Sequence, residues 1–171
     1  MLRKSLGASQ DCVGPSGMVA FISHLTVDCR DAYALSEWWK PVLGYADVPG
    51  DPNEPGHDEC MIVDPSGGGP DVLFIEVPEP KSTKNRLHLD LRPRELPQDS
   101  ELAGLLAHGA TVVADRRGLY GPGSGWVVLA DPEGNEFCIL KSPAERAAYA
   151  AAAAGEDAGL AAGATSSGSD A

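Results

Sequence analysis

Basic residues are scarce in this chain. Thirteen lysines and arginines stand against 25 acidic residues, a net charge of −12 over 171 residues. A surface of that sign repels phosphate backbones and anionic bilayers, which argues against a nucleic-acid or membrane partner. Cysteine is sparse as well: Cys12, Cys29, Cys60 and Cys138 lie far apart, with no C-x-x-C pair and no dense framework. A reducing, cytoplasmic setting fits that usage. Long apolar runs are missing. No stretch approaches the roughly 18 residues of a membrane helix, and no apolar segment follows Arg3 and Lys4 to make a signal peptide. The apolar content is an ordinary 43%, so a packed core is expected, and the length suits one domain better than two.

What the chain does have is an internal repeat. Ile22-Ser23-His24-Leu25-Thr26-Val27 returns as Arg86-Leu87-His88-Leu89-Asp90-Leu91, and Asp64-Pro65-Ser66-Gly67 returns as Asp131-Pro132-Glu133-Gly134. The offsets, 64 and 67 residues, keep the order of parts. Each copy is then one supersecondary unit that needs its twin to bury a core.

Residues 1–17, rich in Ser, Gly and Gln, read as a disordered lead, and Met18 opens the body. Ala20–Asp28 alternates as a half-buried strand. Asp31 is a fitting N-cap for a helix over Ala32–Leu43, which Gly44 ends. Short strands are expected near Tyr45–Val48, Cys60–Val63 and Val72–Val77. The second copy offers a strand at Arg86–Arg92, a helix near Ser100–His108, and strands at Thr111–Ala114, Gly125–Ala130 and Glu136–Leu140. Each module is thus β-α-β-β-β, module one over 18–80 and module two over 85–142. After Pro143 an alanine run favours a short helix, with a disordered remainder to residue 171. Trp38 and Trp39 are neighbours on the first helix, so one is expected in the core and the other outward or against a partner.

In Arg86–Arg92 the leucines Leu87, Leu89 and Leu91 share one face, and Arg86, His88, Asp90 and Arg92 the other. If the leucines meet a helix, His88 looks into a cleft, and by the repeat so does His24. The other reading is a polar stripe facing solvent. Trp126 and the Tyr120-Gly121-Pro122-Gly123 stretch suit a ligand platform and a lip, or else ordinary core packing and an ordinary hairpin loop.

These segments, with Trp126–Ala130 running through Asp131-Pro132-Glu133-Gly134-Asn135 into Glu136-Phe137, resemble the vicinal oxygen chelate superfamily and its glyoxalase-like branch over roughly residues 19–141. The resemblance implies an α+β fold in which two βαβββ modules form a cupped mixed sheet. It also implies one divalent metal ion (zinc, nickel, iron or manganese) held by first-strand histidines and last-strand glutamates. His24 and His88 match the histidine positions. The last-strand glutamate position, four residues after Gly134, is Cys138 here, and Glu136 is the nearest carboxylate; Glu76 is the only carboxylate near the counterpart position of module one. The expected metal set is therefore His24, His88 and Glu136, with Cys138 as an alternative third ligand. Glu136 is also the expected proton-moving residue, and Trp126, Asp90, Arg86 and Tyr120 are the expected cleft residues. Two functions follow from the resemblance: a metal-dependent lyase, isomerase or dioxygenase acting on a small molecule, or a metal-free binding protein like the bleomycin-resistance members. Family habit implies a homodimer.

Overall fold

The computed structural model describes residues 20–121 and 123–164, so the expected N-terminal lead lies outside the described residues. Module one runs β1 (His24–Cys29), α1 (Ala32–Leu43), β2 (Ala46–Asp47), β3 (Glu59–Val63) and β4 (Asp71–Glu76). Module two repeats the order with β5 (Leu89–Leu91), α2 (Gln98–Ala107), β6 (Thr111–Asp115), β7 (Trp126–Ala130) and β8 (Glu136–Leu140); α3 (Pro143–Ala164) follows. The sheets have the same topology, β1-β4-β3-β2 and β5-β8-β7-β6. In each the first strand pairs parallel with the last, and the other pairs are antiparallel. The βαβββ duplication predicted from the repeat is therefore the architecture.

Helix α1 begins where its cap allows. The Asp31 carboxylate accepts from the Ala34 amide at 2.8 Å, and Gly44, at φ 71°, closes the other end with its amide on the Lys40 carbonyl. Its buried residues, Ala32, Leu35, Ser36, Trp38 and Trp39, form one stripe. That stripe covers the inner faces of β3 and β4, where Cys60, Ile62, Val72 and Phe74 are buried. Burying side chains such as Phe74 is worth about 2–3 kcal/mol each.

Both tryptophans are inside, contrary to the expectation that one would turn outward. They are what joins the modules. Phe137 of β8 meets Trp38 and Trp39 edge-on, at centroid separations of 6.0 and 5.1 Å. The Trp38 indole stacks on His108 at the end of α2 and donates to its carbonyl at 2.8 Å, while the His108 Nε2 lies 2.9 Å from the Trp38 carbonyl. The Trp39 indole donates to the buried Asp131 carboxylate at 3.2 Å. The Asp-Pro-Glu-Gly-Asn turn adds a second tie, because Glu133 accepts from the Arg30 and Asp31 amides at 2.7 and 3.1 Å.

Several expected elements have different bounds: the strand expected over Ala20–Asp28 is His24–Cys29, and other strands shift by a residue or so. The strand foreseen over Arg86–Arg92 is only Leu89–Leu91, because β8 supplies ladder partners from Phe137 to Ile139 alone and no strand among the described residues pairs with the other edge of β5. Helix α2 starts two residues early, where the Gln98 amide finds the Glu145 carboxylate at 2.9 Å. Helix α3 continues past Gly155 to Ala164; it is opened by a capping box in which Ser142 and Glu145 exchange bonds of 2.8 and 3.2 Å. No helix among the described residues is long and apolar enough to cross a membrane.

Candidate functional site between the modules

The parallel register decides which side chains share a face. In module one His24 lies beside Asp71, and Thr26 beside Leu73. In module two Asp90 lies beside Cys138; one step along this face come His88 and Glu136. These residues occupy the face opposite the one covered by the α1 stripe. Trp126 and Val128 share it from β7, Val128 being the partner of Cys138.

The strands β1 and β5 are the outer strands of their sheets, and among the described residues each has a strand partner on one edge only. Between them is a cavity of about 510 Å³. Its floor is apolar, built by Trp39, Leu43, Phe74 and Phe137, and its polar wall holds His24, Arg86, His88 and Glu136. The two repeat histidines thus reach one cavity from two modules. Asp131 and Asn135 also line it, from the turn before β8.

The expected metal set does not form one cluster. Among the described residues, the group of metal-ligating side chains whose donor atoms all lie within 4.8 Å of one another is His88, Asp90 and Cys138. His88 Nε2 is 3.4 Å from Asp90 Oδ1. The hydrogen-bond partner of the His24 ring among the described residues is the Ser23 hydroxyl, at 3.3 Å. Glu136 is engaged elsewhere: it accepts from the Asn85 amide at 2.9 Å and faces Lys81 at 3.3 Å and Lys84 at 3.9 Å. The Asn85 amide, opposed by burial and helped by Lys81, holds its carboxyl below the ordinary value. The two unlike fates follow from position. Glu136 opens β8 beneath the linker 81–86, whereas Cys138 lies mid-strand under Asp90.

Burial first, and then the Asp90 carboxylate, push the Cys138 thiol up to about 12, so without an ion it is a neutral thiol. Glu76 is not at the cleft. It pairs in register with Cys29 on the helix side, and its carboxylate accepts from the Ala32 amide at 3.4 Å, capping α1. Of the expected cleft residues, Asp90 joins the His88 cluster, and Arg86 lines the cavity with its guanidinium on the Lys84 carbonyl. Tyr120 and Trp126 stack at 5.8 Å and 15°, with Tyr120 73% exposed.

The family profile of the glyoxalase-like domain matches residues 24–140, the whole of both modules. The chain belongs to the glyoxalase-like domain family. Solved structures share its two-module fold. The fosfomycin resistance protein FosX from Mesorhizobium loti is 17% identical, with 77% of this chain and 99% of that chain covered at a TM-score of 0.54. A glyoxalase/bleomycin resistance protein/dioxygenase family enzyme from Burkholderia phytofirmans PsJN is 20% identical, with 70% and 97% covered at 0.54. FosX from Listeria monocytogenes, complexed with Mn(II) and sulfate, is 13% identical, with 75% and 96% covered at 0.54. No curated protein matches the chain in sequence.

Proposed function

We propose that the inter-module cavity binds a small oxygenated molecule and that the chain acts on it as a divalent-metal-dependent lyase, isomerase or dioxygenase. One observation carries this reading: His24 and His88, from opposite modules, line one cavity with an apolar floor. An imidazole, a carboxylate and a thiol within reach of one another make a donor set that fits a divalent ion. The ion supplies Lewis acidity toward adjacent oxygens when bound. The FosX relative holding Mn(II) supports an ion in this fold.

The chain's own residues set the rest. His24 faces the ligand from module one, able to donate or accept a proton at an oxygen. Glu136, ionised at neutral pH, is the proton acceptor, and Oε1 is the freer of its oxygens. Arg86 offers positive charge at the lining, and the Trp39, Phe74 and Phe137 floor excludes water. The free, buried Cys29, Cys60 and Cys138 support a reducing, cytoplasmic setting.

A homodimer belongs to the same proposal. Phe21 and Ile22 before β1, and Leu87 before β5, are 89%, 71% and 87% exposed beside unpaired strand edges. Open edges flanked by apolar side chains invite pairing with another chain. A second copy supplies both edges at once. Leu87→Glu is then expected to lower the mass seen in equilibrium sedimentation to that of one chain.

Oxalate, whose oxygens are vicinal, is a suitable probe. Calorimetric titration of protein purified without chelator is expected to show binding that falls more than tenfold in the His24→Ala/His88→Ala double variant, and again on chelation. Undiminished binding in the double variant would overturn the cavity assignment. Loss in the double variant without loss on chelation favours the metal-free reading, in which Glu136 stays paired to its lysines.

A further inference from the structure

We infer that the ion of this site is a thiophilic, zinc-like divalent cation held by His88, Asp90 and Cys138, and not a hard, manganese-like ion. The inference rests on the metal-assisted reading above and names the ion class.

The three donors converge by construction. The parallel pairing of β5 with β8 sets Asp90 directly beside Cys138, and His88, two residues earlier, shares the face. Their donor atoms lie within 4.8 Å of one another. Around a tetrahedral ion, donors of this kind stand about 3.3–3.7 Å apart, so each side chain has only about 1 Å or less to move. His88 and Asp90 keep 43% and 57% of their side-chain exposure, which leaves them free to turn inward. Cys138, at 2% exposure, lies beneath them.

The sheet itself does not ask for these residues. At the equivalent pair of module one stand Thr26 and Leu73, and the same ladder forms there. A buried cysteine serving only as a small apolar filler has apolar company; Cys138 has a carboxylate and an imidazole over it. A thiolate selects soft and borderline ions, and a mixed N, O and S set with three protein donors suits zinc with one position open for a ligand. Binding replaces the Sγ–H bond of Cys138 by an Sγ–metal bond, and the proton leaves to solvent.

Cobalt(II) reports the thiolate directly. Titrated into the full chain, it is expected to give a near-ultraviolet sulfur-to-cobalt charge-transfer band that saturates at one equivalent. Zinc(II) abolishes the band at one further equivalent, whereas a hundredfold excess of manganese(II) leaves it. Cys138→Ser removes the band and weakens zinc more than tenfold, while Cys60→Ser retains both. His88→Ala, at an exposed position with little bearing on folding, also weakens zinc more than tenfold. Manganese binding as tight as zinc and indifferent to Cys138→Ser overturns the inference and leaves the metal-assisted reading standing. Absence of binding by all three ions overturns both.

Discussion

The two modules share a ladder, a helix and a turn, yet they spend equivalent positions on opposite tasks. The Thr26–Leu73 pair of module one becomes Asp90–Cys138 in module two, so the metal-ligating cluster lies on one sheet while module one adds His24 to the cavity. The Asp64-Pro65 turn is a surface feature whose carboxylate bonds the amide and hydroxyl of its neighbour Ser66. In the Asp131-Pro132 turn the aspartate is buried, and its carboxylate gathers the Glu133 amide, the Asn135 amide and side chain, and the Trp39 indole. Module one thus donates its helix and tryptophans, while module two supplies the latch that receives them. A duplicated unit can keep its fold while dividing its labour, because the ladder constrains backbone and parity more than side-chain identity.

The sharpest way to break the comparison is to remove both turn aspartates. Asp131→Ala strands several buried donors, among them the Trp39 indole, at about 1–3 kcal/mol for each group left without water. We expect a loss of about 3 kcal/mol in urea unfolding. Asp64→Ala is expected to leave the unfolding midpoint close to wild type. Equal midpoints for the two variants would deny the latch.

The junction of module two with α3 carries an acid-sensitive tie. Glu145 accepts from the Ser142 and Gln98 amides and faces Lys141 at 3.2 Å. Burial opposes its ionisation, but the Ser142 amide, the Gln98 amide and Lys141 outweigh it and hold the carboxyl down at about 2. A carboxyl depressed by folding contributes stability that is present above its unfolded value, near 4.5, and lost as pH falls toward 2. Glu145→Gln should therefore cost about 1–2 kcal/mol at pH 7 and progressively less on acidification through that window, followed by thermal unfolding. A cost that does not change with pH would assign the role to packing.

The asymmetry of the site can be reversed by grafting. Thr26→Asp with Leu73→Cys rebuilds the module-two donor pair beside His24. The expected result is a second equivalent of cobalt(II), at a stability cost of about 1–2 kcal/mol for the shortened Leu73. A stoichiometry that stays at one would show that strand position alone does not make the cluster.

Much of the fold was legible because repeat and caps are local signals. Asp31 and Gly44 bounded α1 correctly, and the Asp-Pro-Glu-Gly-Asn turn placed β8. The Arg86–Arg92 alternation overstated its strand, since periodicity cannot say whether a neighbour exists to pair with. The face of Glu76, the only carboxylate near the module-one counterpart position, was open because residues 68–70 have no counterpart in module two, until the register set it beside Cys29. His24, His88 and Asp90 could be named from parity. The grouping of His88 and Asp90 with Cys138 could not, because it depends on a parallel pairing across more than forty residues. Cys138 carried a signal, its place four residues after Gly134, but sequence alone does not distinguish a buried filler from a ligand.

The smallest effect concerns the aromatic pair on the module-two face. Trp126 sits two residues from Val128, the register partner of Cys138, so its side chain is about 7 Å along the strand from the metal-ligating cluster. Module one has only Met61 and Leu73 paired at the row of its Thr26, and no aromatic ring on that face of β3 or β4. Tyr120, largely exposed, adds little to folding, and Tyr120→Ala is expected to change stability by less than about 0.5 kcal/mol. Stacked rings are worth about 0.5–1.5 kcal/mol, however, and a flat ligand beside the cluster would use that energy. The variant is expected to weaken 2-naphthol binding about three- to tenfold and to leave decahydro-2-naphthol, of similar size but without a π face, unchanged. Tyr120→Phe should restore the difference. If both probes weaken alike, the pair serves as a hydrophobic cover for β7 and the module-two face has no preference for flat ligands.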